Sequence, residues 1–101
     1  MNKNKRIYLV AKVSGLPAEV VKAKYDRARD IVESYGYTAV RPIDHVTPAT
    51  PWHEAMRICI PLMLECDGYA NIDDPHTSPG ALVETTVAGW VKLPHFSFIE
   101  F

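Results

Sequence analysis

RIYLVAKV, residues 6–13, is crowded with β-branched, aromatic and other apolar side chains, and the loop SGLP, residues 14–17, follows it directly. Such a run is a strand, and Pro17 is placed for the first turn of a helix. The next stretch keeps this promise. Val21, Tyr25, Ala28 and Val32 recur at helical spacing with charges on the other side, so residues 18–35 are expected as a helix. Gly36 is positioned to end that helix in a left-handed conformation.

The same strand–helix unit then repeats. YTAVRP, residues 37–42, is a short second strand, followed by a loop with Pro48 and Pro51. Thr50 can cap a second helix with Pro51 at its first position. Ala55, Ile58, Leu62 and Cys66 mark its buried face, and Pro61, which lacks a backbone donor, is expected to kink it. DGYANI, residues 67–72, is a third strand, and DDPHTSPG, residues 73–80, is a turn-rich loop. Ser78 is a good N-cap with Pro79 behind it, opening a third helix through about Val91. PHFSFIEF, residues 94–101, is a last strand. Strict alternation of this kind predicts one domain over residues 1–101: a small three-layer α/β/α sandwich, flavodoxin- or Rossmann-like. Its sheet is parallel, of order 2-1-3-4, with right-handed crossovers.

Composition narrows the function. The net charge is −1, which gives no electrostatic footprint for a nucleic-acid polymer or an anionic membrane. No stretch is apolar for long enough to cross a bilayer, and no signal-type core follows the basic start, so a cytoplasmic protein is expected. Cys59 and Cys66 fall two turns apart on one helix, roughly 10 Å along its axis, too far for a disulfide. His45, His53, His76 and His95 lack metal-ligand spacing, so neither a metal nor a cofactor is expected. A chain this short buries a modest share of its surface, which favours a homo-oligomer.

In open parallel sheets the ligand sits at the carboxyl ends of the strands. That edge carries the loop after the first strand, residues 11–15, and the loop after the third, residues 73–80. Glu84 stands just behind the second loop, two turns into a helix that must pack its apolar side. A carboxylate there is either a solvated helix residue or a nucleophile lining a pocket. Tyr8 is either core packing or a hydrogen-bond partner of Glu84. Ser78 caps its helix, a role compatible with phosphate contact at the positive helix end. Asp67, Asp73 and Asp74 suit turns; Asp73 or Asp74 could also serve as a general acid. Trp52 reads as a core or dimer-contact aromatic, or as a platform for a base, and Cys59 as a buried thiol.

The segments IYLVAKVSGLP, RPIDH, WHEAMRICIPLMLECD, SPGALVETTVA and LPHF together resemble the nucleoside 2-deoxyribosyltransferase-like superfamily, most of all its short bacterial and phage branch. The resemblance covers nearly the whole chain. It implies Glu84 as the nucleophile, through the spacing from Gly80, and Tyr8 as the residue that orients it. It implies ligand contacts from Val13, Ser14 and Gly15 in the loop after the first strand, and from Ser78 and Gly80. Relatives that hydrolyse deoxynucleoside 5′-monophosphates carry a serine at the place of Ser78, whereas transferases on free nucleosides carry an aspartate. The family's usual Gly-Pro after the first strand is Ala11-Lys12 here. Cys59 stands at a second family aspartate, and Lys92 at the glycine that ends the third helix. The implied activity is that of an N-glycosidase or deoxyribosyltransferase acting on a nucleoside or nucleoside 5′-monophosphate. The alternative is a nucleotide-binding module on the same fold without turnover.

Overall fold

The computed structural model describes residues 5–13 and 15–97. Its sheet is parallel, with β1 (Arg6–Val10) between β2 (Thr38–Val40) and β3 (Gly68–Asn71), in the order β2-β1-β3. The expected α/β/α architecture is present. Residues Ile7, Tyr8, Leu9 and Val10 are all fully buried, as a central strand covered on both faces requires. Register places Tyr8 opposite Val40 on one side and Tyr69 on the other, and Val10 opposite Asn71.

The alternation of side chains along β1 sorts the core into two halves. Ile7 and Leu9 pack with Ala70 against α1 (Ala18–Ser34), through Val21, Tyr25, Ala28 and Val32. Tyr8 and Val10 turn to the other face. There they join Val40 and Tyr69 against α2 (Trp52–Leu64) and α3 (Pro79–Trp90), through Cys59, Met63, Ala81 and Ala88. Gly36, with φ of +88°, follows α1 as the spacing required.

Four expectations need correction. The first strand stops at Val10 rather than Val13, because the next amides find other partners: Lys12 N donates to the Asp73 carboxylate at 2.8 Å. The last strand is reduced to a single parallel bridge between Tyr69 and His95, with Tyr69 N donating to Pro94 O and Phe96 N to Tyr69 O. It lies beside β3, where the fourth strand was expected, and residues 98–101 lie outside the described residues. Thr50 does not cap α2. Its hydroxyl instead accepts from Thr47 N at 3.1 Å, and Pro51 takes the N-cap position. The buried stripe of α2 runs through Cys59 and Met63, leaving Ile58 at 39% exposure. The helix is continuous through Pro61 to Leu64.

Candidate functional site

Small residues at the start of α3 let it lie close to its neighbours. Ser78 is its N-cap, with Pro79 at the first helical position. A side chain on Gly80 would put its Cβ 3.4 Å from Trp52 Nε1 and 3.6 Å from Met56 Sδ, so α2 packs closely over this turn. Ala81 and Ala88 are buried, and Glu84, three residues on from one and four before the other, shares their inward face. Glu84 is therefore 6% exposed, directed at the sheet rather than at water.

The sheet answers with Tyr8. Its hydroxyl donates to Glu84 Oε2 at 2.5 Å inside the core, across most of the chain in sequence. Among the described residues Glu84 Oε1 has no hydrogen-bond donor. Burial pushes the Glu84 carboxyl up to about 7, with the Tyr8 hydrogen bond pulling it the other way. Burial and then the Glu84 charge drive the Tyr8 phenol far above its ordinary range, so it stays a donor. At neutral pH the pair holds a carboxylate close to its own midpoint, fixed in place by a neutral phenol. Such a group can attack an electrophilic carbon when ionised or give up a proton when not.

Two further polar groups share this face of the sheet, and sequence reasoning gave them no role. Cys59 of α2 lies beside the Tyr8 hydroxyl, and burial, foremost, raises its thiol above the ordinary range, so it is neutral. Asn71 at the end of β3 is 6% exposed, and its Nδ2 donates to Thr85 Oγ1 at 3.0 Å, next to Glu84 on α3. The signal for Asn71 was a lone amide inside an otherwise apolar strand. Cys59 was marked only through the resemblance, as the residue at a second family aspartate.

The remaining expected residues divide. Asp73 ties the two loops of the carboxyl edge together: its Oδ2 accepts from Lys12 N at 2.8 Å and from Lys24 Nζ at 2.7 Å, while Lys24 Nζ also reaches Lys12 O. Asp74 belongs to the turn before α3, accepting from His76 N at 3.0 Å, and His76 holds its carboxyl below the usual range. Each aspartate is engaged by a structural partner. Ser78 is buried, yet its side chain makes no capping hydrogen bond to α3. Val13 and Gly15 are exposed on the loop after β1, Gly15 with φ of +79°; Ser14 between them lies outside the described residues. Gly80 is half-buried under Trp52 and Met56.

An open surface groove of about 520 Å³ runs along the flank of α2 where it meets α3. Trp52, His53, Met56, Arg57, Ile60, Pro61 and Val83 line it, and Tyr8 and Glu84 do not. The catalytic potential of the Tyr8–Glu84 pair rests on its own geometry. Among the described residues no helix is long and apolar enough to cross a membrane.

Searches of curated proteins and of solved structures returned no significant match. A family model, described as a domain of unknown function (DUF4406), matches residues 5–95. That span takes in every strand and helix described, together with Tyr8, Cys59, Asn71 and Glu84. The chain belongs to the DUF4406 family.

Proposed function

We propose that the protein is an N-glycosidase or deoxyribosyltransferase acting on a nucleoside or nucleoside 5′-monophosphate, with Glu84 as nucleophile and Tyr8 holding it. The observation that carries this reading is the buried hydrogen bond from Tyr8 to Glu84 Oε2, which leaves Oε1 without a donor among the described residues. The resemblance of the segments around both residues to the nucleoside 2-deoxyribosyltransferase-like superfamily supplies the reaction class. Glu84 Oε1 attacks the anomeric carbon as the bond to the base breaks, giving a glycosyl-enzyme. Water, or an acceptor base in a transfer, then releases the sugar. A buried serine at the start of α3, whose hydroxyl makes no capping bond to the helix, fits a 5′-phosphate at the positive helix end. In this reading Val13, Ser14, Gly15 and Gly80 form the rest of the ligand's surroundings. The protein works in the cytoplasm as a homo-oligomer.

The test is release of free base from a panel of nucleosides and 5′-monophosphates. Wild type is expected to release base from at least one. Glu84→Gln, which keeps the shape and loses the nucleophile, is expected to bind that compound and release none. Because the attacking form is the carboxylate, kcat/KM should climb as pH rises through about 7. A rate that falls across that range would assign Glu84 to proton donation and overturn the nucleophile.

One observation favours a second reading, a nucleotide-binding module without turnover. Asp73 and Asp74 are taken up in structural contacts with Lys24 and His76, and the group beside Tyr8 is the neutral thiol of Cys59. Protonation of the leaving base then falls to water or to the base itself. Tight binding of a nucleotide by wild type with no base release from any panel member would establish this reading.

A further inference from the structure

A strand with both faces covered is a costly place for an amide. Ile7, Leu9, Val10 and Ala70 are apolar and fully buried, yet Asn71 stands in the same sheet at 6% exposure. Its position in β3 opposite Val10, two residues beyond Tyr69, directs its side chain to the face that carries Tyr8 and Glu84. The contact on that face bears this out: Asn71 Nδ2 donates to Thr85 Oγ1 at 3.0 Å, on the residue following Glu84. A tie between β3 and α3 alone does not account for the choice of residue. An apolar side chain would pack a strand against a helix without the desolvation cost of an amide, which carries more hydrogen-bonding groups than Thr85 satisfies. Among the described residues the other end of the amide, Oδ1, has no donor. No side-chain nitrogen or oxygen among the described residues that is fully closed off from solvent lacks a partner. Asn71 Oδ1 is therefore not fully closed off from solvent, and neither is Glu84 Oε1 on the same face.

We propose that Asn71, anchored by Thr85, is a specificity residue that accepts a hydrogen bond from a furanose hydroxyl of the ligand bound at Glu84. The inference rests on the nucleoside or nucleotide reading and adds to it the group by which the sugar is recognised. A hydroxyl fits this position better than other ligand groups. It donates to Oδ1 in the orientation observed, and it could equally accept from the amide nitrogen if Thr85 donated to the carbonyl instead, because both hydroxyls can play either role. Thr85 fixes the amide plane, so the acceptor is aligned before the sugar arrives. A ligand lacking the hydroxyl leaves a nearly buried acceptor unpaired, which is how a polar site rejects an analogue far more strongly than an apolar pocket does.

The experiment compares ribo, 2′-deoxy and 3′-deoxy forms of the common nucleosides and their 5′-monophosphates, read by calorimetric binding and, where base is released, by kcat/KM. In wild type, removal of one of the two hydroxyls is expected to weaken binding or kcat/KM by about tenfold or more. In Asn71→Leu, of similar volume but without the amide, that preference should shrink to within about twofold. Asn71→Asp retains an acceptor that Thr85 can hold, so the preference should survive. If Asn71→Leu does not fold, Asn71→Ser, which shortens the side chain, serves the same comparison. A hydroxyl preference of undiminished size in Asn71→Leu or Asn71→Ser overturns the role of Asn71 and leaves the nucleotide reading standing. Equal binding of all three sugar forms by wild type does the same. If wild type binds no compound of the panel, the nucleotide reading itself fails, and this proposal with it.

Discussion

A carboxylate that is 6% exposed and held by a phenol keeps its proton to higher pH than one in water, and the fold has to bear the consequence. Glu84 titrates near 4.5 when unfolded and near 7 when folded. Between those values the folded chain holds a proton that the unfolded chain has released, so stability is lost as pH rises from 4.5 to 7. The loss above pH 7 is roughly 3 kcal/mol, from about 1.4 kcal/mol for each unit of separation. Glu84→Gln removes the titrating group. Its thermal midpoint is expected to exceed that of wild type by about 15 °C at pH 8 and to match it at pH 4. A gap of equal size at both pH values would trace the difference to packing and not to charge. Tyr8→Phe acts in the opposite sense on the same group. It removes the hydrogen bond that lowers the Glu84 carboxyl, so the midpoint of the Glu84 titration, followed by NMR, should move above its wild-type position.

At the scale of the elements, the end of α3 carries backbone strain. Leu93 N donates to Ala88 O at 2.9 Å and Lys92 N to Gly89 O at 3.2 Å, the paired bonds of a helix that closes through a left-handed residue. That residue is Lys92, with φ of +59°, at the place where the resembling superfamily has glycine. A side chain with a Cβ costs about 1–2 kcal/mol in this conformation, offset in part by the extra freedom glycine gives the unfolded chain. Lys92→Gly is therefore expected to stabilise the protein by about 0.5–1 kcal/mol in urea denaturation, and a loss of stability would contradict the closure described. Local patterns made much of the rest readable. Val21, Tyr25, Ala28 and Val32 carry a 3.6-residue period, and all of them are buried on α1. The face of α2 was misjudged at Ile58 because that helix is apolar on several sides, so periodicity does not choose among them. The site was legible only in part for a related reason. Glu84 and Tyr8 could be paired through the resemblance, whereas Asp73 reads locally as a turn former and shows its clamp only when Lys24, far off in sequence, folds against it. Asn71 was hidden by type, since an asparagine near a strand end reads first as the start of a turn.

At the scale of the molecule, most of the exposed large apolar side chains among the described residues belong to the α2–α3 layer. Trp52, Ile58 and Leu64 on α2 and Leu82 and Trp90 on α3 are each at least 39% exposed, with Val91 beyond them at 53%. Trp90 reaches 83%, which no folding requirement explains, because a residue so open contributes little to the core. The layer that holds Glu84 from inside thus presents aromatic and aliphatic groups outside. A small domain that cannot cover such groups alone gains by burying them against a copy of itself, and a two-fold arrangement does so with one self-complementary patch. Light scattering at tens of micromolar is expected to give the mass of at least a dimer. Trp90→Lys, a change on the open surface, should leave the thermal midpoint of the isolated fold nearly unchanged while shifting the population toward monomer. Wild type that stays monomeric over the whole concentration range would rule out self-association and require another role for Trp90. If instead the dimer forms and Trp90→Lys leaves it intact, the contact lies elsewhere, and Trp52 with Leu64 on α2 becomes the next pair to replace.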